Sequence, residues 1–336
     1  MFINFVLSAF GAMEEENVCS IYANQVDLGV EKDDVGVRGD RGRRFWMDIS
    51  INIYLIQLVH GLVYGMLIFL VASGLTLVFG MMGVLNIAHA AFYMLGAYFA
   101  YTVAVYLGNF WLSFLLSPLI VAFLAILIER FLLRKTYKAG HLPELLLTFG
   151  FFYIFVELVI IIWGSNPLPV PVPALLAGDV PFMGKTYPIY RLFILGFSCV
   201  ILLGMALVLM RTQIGIIIRA AVSDADMVDV LGHNVPVVFL GVFGGGAALA
   251  ALAGVIAAPF LSTYPGMGMD MLLDCFVVIV IGGFGSLWGA LVAALMIGEL
   301  QSLGILWIPR LALVFQFLLM AVVLIIRPTG LFGEKE

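Results

Sequence analysis

The chain has 336 residues, 63% of them hydrophobic and 11% charged, with a formal charge of −5 and a mean hydropathy of +1.15. Ordinary soluble domains are about 25% charged, so the composition excludes one and points to a polytopic membrane protein. No basic cluster interleaved with aromatics speaks for nucleic acid, and Cys19, Cys199 and Cys275 lack the paired spacing of a disulfide or metal site.

Residues 1–46 differ from the rest and hold 13 of the 37 charged residues. Their one apolar run, FINFVLSAF, is too short to span a bilayer, and the segment VEKDDVGVRGDRGRR has the composition of disorder. We read this stretch as a disordered or non-native extension, with initiation expected at Met47. Codons for Gly42 to Met47 can encode a purine-rich ribosome-binding site just upstream of an ATG.

The expected fold is all-α, with about 8–9 transmembrane helices, some short or broken, in a permease-like domain over 47–336. The spans fall at about 52–78, 88–107, 112–133, 143–163, 190–210, 236–260, 271–284, 286–306 and 310–327. Gly282, Gly283 and Gly285 interrupt the seventh, which suggests a half-helix or re-entrant segment. Between the fourth and fifth spans, the prolines of 164–189 impose extended backbone, read as a stiff connector in preference to a partner-binding surface. Connections on one side carry Arg130, Arg134, Lys135, Lys138, Arg211, Arg219, Arg327 and Lys335; those on the other carry Lys185, Arg191 and Arg310. The positive-inside rule puts the first group in the cytoplasm of a cell inner (plasma) membrane protein, together with the loop 211–236 and the C-terminus. That orientation conflicts with Arg41, Arg43 and Arg44 unless those residues are not native.

The two halves also share a pattern. At an offset of 202, Val78, Gly80, Gly83, Leu85, Ala88, Ala91, Met94 and Gly96 match Val280, Gly282, Gly285, Leu287, Ala290, Ala293, Met296 and Gly298. Interrupted apolar segments at corresponding places point to a transport pathway.

The loop 211–236 is the longest polar break in the second half. Ile216, Ile217, Ala220, Ala221, Met227, Val230 and Leu231 sit near helical spacing, with Asp224, Asp226 and Asp229 between them and Gly232 as the stop. A solvated loop helix is the plain reading; a docking helix for a soluble partner is the sharper one.

Catalytic chemistry has little to build on. No HExxH, nucleophile elbow or phosphate loop is present, so no catalytic residue is assigned. Polar groups inside apolar spans are costly and therefore informative. Asn86 and His89 lie three apart on one helical face, Asn86 serving either as a helix cap or in a pathway. Ser73 and Thr76 near the end of the first span are further pathway candidates. So are Glu157 and Glu299, isolated carboxylates that face the interior, are protonated, or pair with each other. Asp270 and Asp274 lie at the outer end of the seventh span, where solvation is the plain explanation. No charged relay runs through the spans, so energy for active transport would have to come from a partner.

Three stretches together resemble the permease subunits of ABC importers for branched-chain amino acids, the LivH-like family. They are GLTLVFGMMGVLNIAHAAFYMLGAYFAY, IRAAVSDADMVDVLGHNV, and IGGFGSLWGALVAALMIG with the late Arg327-Pro328-Thr329-Gly330. The resemblance covers about Met47 to Phe332. One departure is Ala90, where many relatives have glycine after the histidine. The resemblance implies that 215–234 is a coupling helix seated on a cytoplasmic ATPase, with Arg219, Asp224, Asp226, Asp229 and Gly232 contributing. It further implies a second homologous permease subunit, two cytoplasmic ATP-binding subunits that hydrolyse ATP, and an extracytoplasmic substrate-binding protein. This chain itself would bind no cofactor, touch only membrane lipid besides those partners, and carry branched-chain or related amino acids, or similar small polar solutes. An intramembrane enzyme using His89 with Glu157 or Glu299, and a passive channel, are the alternatives.

Overall fold

The computed structural model describes residues 40–83, 86–136, 140–182 and 185–333. The chain divides into two units, Met1–Asn52 and Ile53–Glu336. In the first, the described residues are the opening turns of a helix that begins at Asp40 and runs past Met47 without a break. The remainder of the expected extension, like Leu85, Lys138 and Lys335, lies outside the described residues.

Nine long helices follow among the described residues: α1 (Asp40–Met82), α2 (Ala88–Tyr106), α3 (Phe110–Ile128), α4 (His141–Trp163), α5 (Ile189–Arg211), α8 (Val235–Leu261), α9 (Met267–Gly282), α10 (Leu287–Trp307) and α11 (Ala312–Ile326). Two short helices, α6 (Gln213–Ser223) and α7 (Ala225–Val230), sit between α5 and α8. Each of the nine expected spans falls on one of the long helices. Seven are long and apolar enough to cross a membrane; α9, at 16 residues, and α11, at 15, are shorter. The expected interruption in α9 is a termination instead. The helix is continuous to Gly282, and Gly283 at φ +97° ends it.

Lipid is as apolar as leucine, so helices in a membrane associate by close packing, and small residues permit it. α2 and α8 form the centre of the bundle in this way. A Cβ at Gly254 of α8 would lie 2.1 Å from the Tyr93 carbonyl oxygen of α2, and one at Gly96 of α2 would lie 2.2 Å from the Ala251 carbonyl oxygen. α1 runs antiparallel to α10, with Gly61 and Gly65 against Gly298 near one end and Gly80 against Gly285 near the other. The matched segments lie on two helix pairs, α1–α2 and α9–α10, which approach each other at Gly80 and Gly285. The matched Gly83 and Gly285 take φ of +67° and +76°.

The alternating helices give the bundle two ends. At one, the C-terminal tail closes on α9, with the Leu331 and Phe332 amides donating to Ile281 O (2.8 Å) and Gly282 O (3.0 Å). α6 and α7 lie at this tail end. At the other, the proline-rich connector is more structured than expected. It contains the 3₁₀ turn Ala174–Leu176 and an antiparallel hairpin of β1 (Asp179–Phe182) and β2 (Lys185–Pro188). It is also tied to the α8–α9 turn by a bridge between Leu168 and Thr263. Paired backbone supplies partners that extended proline-rich chain lacks.

Candidate functional site

The pathway candidates separate into three places. Ser73, Thr76, Asn86 and His89 form the first, deeply buried where α1, α2 and α8 meet. Gly74 and Gly246 create the room, since a Cβ at Gly74 would lie 2.7 Å from Gly246 O and 3.0 Å from His89 Cε1. His89 Nε2 lies 3.1 Å from Val71 O. A carbonyl only accepts, so Nε2 carries a proton. Among the described residues Nδ1 has no partner, nor do Thr76 Oγ1 and both polar atoms of the Asn86 amide. Ser73 Oγ is satisfied within its own helix, donating to Leu70 O at 2.8 Å. Asn86 is not a cap, because Ile87 stands at the α2 N-cap, and the Ile87 amide donates instead to Thr148 Oγ1 of α4 at 3.4 Å.

The second place lies toward the hairpin end. Glu299 of α10 is half-buried against Gly61 of α1, and neither carboxylate oxygen has a partner among the described residues. Close by is a network that the sequence did not announce. The Tyr64 hydroxyl donates to Asp274 Oδ2 at 2.7 Å, and Gln301 Nε2 donates to Asp274 Oδ1 at 3.3 Å and to Gln316 Oε1 at 2.5 Å. Asp274 is only 5% exposed, so the expected solvation is wrong: α9 turns this carboxylate inward onto α1, α10 and α11. Two glutamines in apolar helices were the available signal, but an uncharged amide stands out less than a carboxylate. At the same end, Arg191 bonds His60 and lies over the Tyr187 and Phe260 rings at 5.9 and 5.2 Å. The Tyr264 hydroxyl donates to Asp270 Oδ2 at 2.5 Å. Burial first, and then that bond and the charge of Asp270, push its pKa up to about 12, so it remains a neutral donor near neutral pH.

Glu157 is the third place. It neither faces the interior nor pairs with Glu299. It projects from the exposed face of α4, whereas Glu299 lies against α1.

The polar loop at the tail end is two helices, not the single one expected. Thr212 caps α6, accepting from the Gly215 amide at 3.2 Å. The chain extends at Asp224 (φ −155°, ψ 96°), which ends α6 and caps α7 by accepting from the Met227 amide at 2.9 Å. Aspartate competes for backbone N–H groups, and here that competition restarts the helix. Gly232 does terminate the segment, at φ +89°. Gly215, Ile218, Ala221 and Val228 face the bundle, and Ile214, Ile216, Val222, Met227, Val230 and Leu231 face outward. Arg219 is exposed, and its guanidinium folds back onto the Leu209 carbonyl near the end of α5. Asp226 and Asp229 are exposed. The bundle therefore presents an apolar surface with acidic neighbours on a membrane-peripheral segment, where solvent alone would favour polar side chains.

Residues 57–324 match the family model described as the permease component of the branched-chain amino acid transport system. The high-affinity branched-chain amino acid transport system permease protein BraD of Pseudomonas aeruginosa is 30% identical over 84% of this chain and 97% of its own. LivH of Escherichia coli, with the same description, is 27% identical over 84% and 96%. A probable branched-chain amino acid transport permease protein LivH of Methanocaldococcus jannaschii is 26% identical over 81% and 90%.

Proposed function

The chain belongs to the family of branched-chain amino acid transport system permease components, and from that premise we propose that it is the membrane subunit of an ATP-driven importer for branched-chain or related amino acids. The observation that carries the mechanism is the outward apolar surface of α6 and α7 at the tail end. A soluble ATP-binding subunit seated there receives Ile214, Met227, Val230 and Leu231, with Asp226 and Asp229 setting register and Gly232 holding the exit of α7. Asp224 acts indirectly, by capping α7, and Arg219 by capping α5. Two such subunits hydrolyse ATP, a second homologous permease subunit completes the membrane part, and an extracytoplasmic binding protein delivers solute at the hairpin end. Basic residues support this orientation in the inner membrane: Arg130, Arg134, Lys135, Arg211, Arg219 and Arg327 belong to the tail end, and Lys185, Arg191 and Arg310 to the hairpin end.

We assign the polar part of the solute path to Thr76, Asn86 and His89, with Ser73 beside them and Glu299 nearer the entry. A buried polar atom without a partner costs about 1–3 kcal/mol. A transporter tolerates that cost in one conformation when water or solute meets the same atoms in another. Glu157 belongs to the path only if a second chain closes over the α4 face.

The test is reconstitution of the transporter in vesicles with its binding protein and labelled leucine. Uptake should require ATP, and a Val230→Asp, Leu231→Asp variant should reach the membrane normally yet lose its ATP-binding subunits. Flux that is indifferent to ATP would return the chain to the passive-channel reading.

A further inference from the structure

At the tail end, a cavity of about 330 Å³ opens between α3 and α8, walled by Arg130, Arg134, Asn234, Pro236, Val237 and Leu240. The π-turn Glu129–Leu133 that follows α3 carries Arg130, and Arg134 comes directly after it. Glu129, in the same turn, is buried and does not line the cavity. Asn234 caps α8 by accepting from the Val237 amide through Oδ1 at 3.3 Å, which leaves its Nδ2 hydrogens to donate. The cavity therefore offers two guanidinium groups, an amide donor and the positive end of the α8 dipole. Among the described residues no carboxylate lines it. That chemistry suits a phosphate group and repels the quaternary ammonium of a zwitterionic headgroup.

The surroundings of the cavity indicate where that phosphate comes from. α3 has 19 residues, a rise of about 29 Å, close to the hydrocarbon thickness of a bilayer. Arg130 is the second residue beyond its end, at the depth of lipid headgroups. Leu115, Leu119 and Phe123 form an exposed stripe on α3, and Arg130 lies two turns beyond Phe123 on that face. Exposed Phe131 and Val237 flank the cavity, with Arg130 Cζ 5.9 Å from the Phe131 ring centroid. An arginine that ends a lipid-facing stripe meets headgroups, whereas a soluble partner at this end meets α6 and α7. We propose that the cavity between α3 and α8 binds the phosphate headgroup of an anionic phospholipid, with Arg130 and Arg134 as its charged ligands and Asn234 as the donor beside them. The inference rests on the importer reading above only for naming that leaflet cytoplasmic.

The test reconstitutes the whole transporter in vesicles of phosphatidylcholine and phosphatidylglycerol in equal amounts, re-extracts it in detergent, and measures retained lipid by mass spectrometry. The wild type should hold phosphatidylglycerol in preference to phosphatidylcholine. An Arg130→Gln, Arg134→Gln variant should hold about tenfold less of it. Lys135→Gln removes a neighbouring exposed charge that does not line the cavity, and should leave retention unchanged. Equal retention of the two lipids by the wild type overturns the site, whether or not the double variant accumulates. So does an equal loss in Lys135→Gln, which would mean diffuse attraction. Release of the lipid by inorganic phosphate alone would make the cavity a free-anion site and overturn the lipid assignment. A double variant that keeps its lipid but loses its ATP-binding subunits would give the arginines to that interface, and overturns the inference too. Lipid retention does not depend on ATP. A transporter that holds the lipid yet carries solute indifferently to ATP therefore overturns the importer reading and leaves this site standing.

Discussion

Tyr64 of α1 donates its hydroxyl to Asp274 Oδ2 of α9 across 2.7 Å, so α1 is fastened to the second half of the chain by a carboxylate buried in the bundle. The Gln301 amide donates to the other oxygen at 3.3 Å, so removing one donor leaves the carboxylate only partly satisfied. Tyr64→Phe should lower stability by about 1–3 kcal/mol, the cost of an unmade bond to a buried group. Thermal unfolding in one detergent would show it, and an unchanged midpoint would mean that the network is dispensable.

Close packing of α2 on α8 makes a second, sharper contrast. A Cβ at Gly254 meets the Tyr93 carbonyl oxygen at 2.1 Å, whereas a Cβ at Gly241 or Gly245 meets no atom of the described residues within 4 Å. Gly254→Val must push two central helices apart, at a cost of at least about 1–3 kcal/mol, and should drop sharply in membrane abundance. Gly245→Ala should accumulate like the wild type. Equal abundance of the two would contradict the central placement of α2 and α8.

Asn86→Leu should separate function from stability. Asn86 is 3% exposed and its amide has no partner among the described residues, so replacing it removes a desolvation cost and should leave the unfolding temperature unchanged or raised. ATP-driven uptake should nevertheless fall, while basal ATP hydrolysis stays measurable. Undiminished uptake would leave Asn86 a packing residue.

At the tail end, Gly232→Val forces a β-branched residue into φ +89°, with local strain on the order of 1–3 kcal/mol. The spans are untouched, so membrane abundance should be normal while co-purification of ATP-binding subunits is lost or ATP hydrolysis becomes uncoupled. Arg219→Glu should act differently, because Arg219 bonds Leu209 within this chain. It should loosen the α5–α6 turn, detected as faster proteolysis there, before it affects association. Full coupling in Gly232→Val would return α6 and α7 to a solvated loop.

What the sequence determined by itself was whatever depends on neighbours along the chain. Span length and hydropathy located all nine long helices, because a membrane helix satisfies its own backbone and leaves its signature in a contiguous run. Gly232 was legible as a stop for the same local reason. The family was legible because its motifs are local strings. Tertiary structure decided what faces what. A carboxylate in an apolar run reads alike whether its helix turns it inward, as α9 turns Asp274, or outward, as α4 turns Glu157. Nor could spacing show that Asp224 would break the loop helix in two or that Arg219 would fold back onto α5. Each of those outcomes depends on a group remote in space or on competition for one amide, and hydrophobic periodicity records neither.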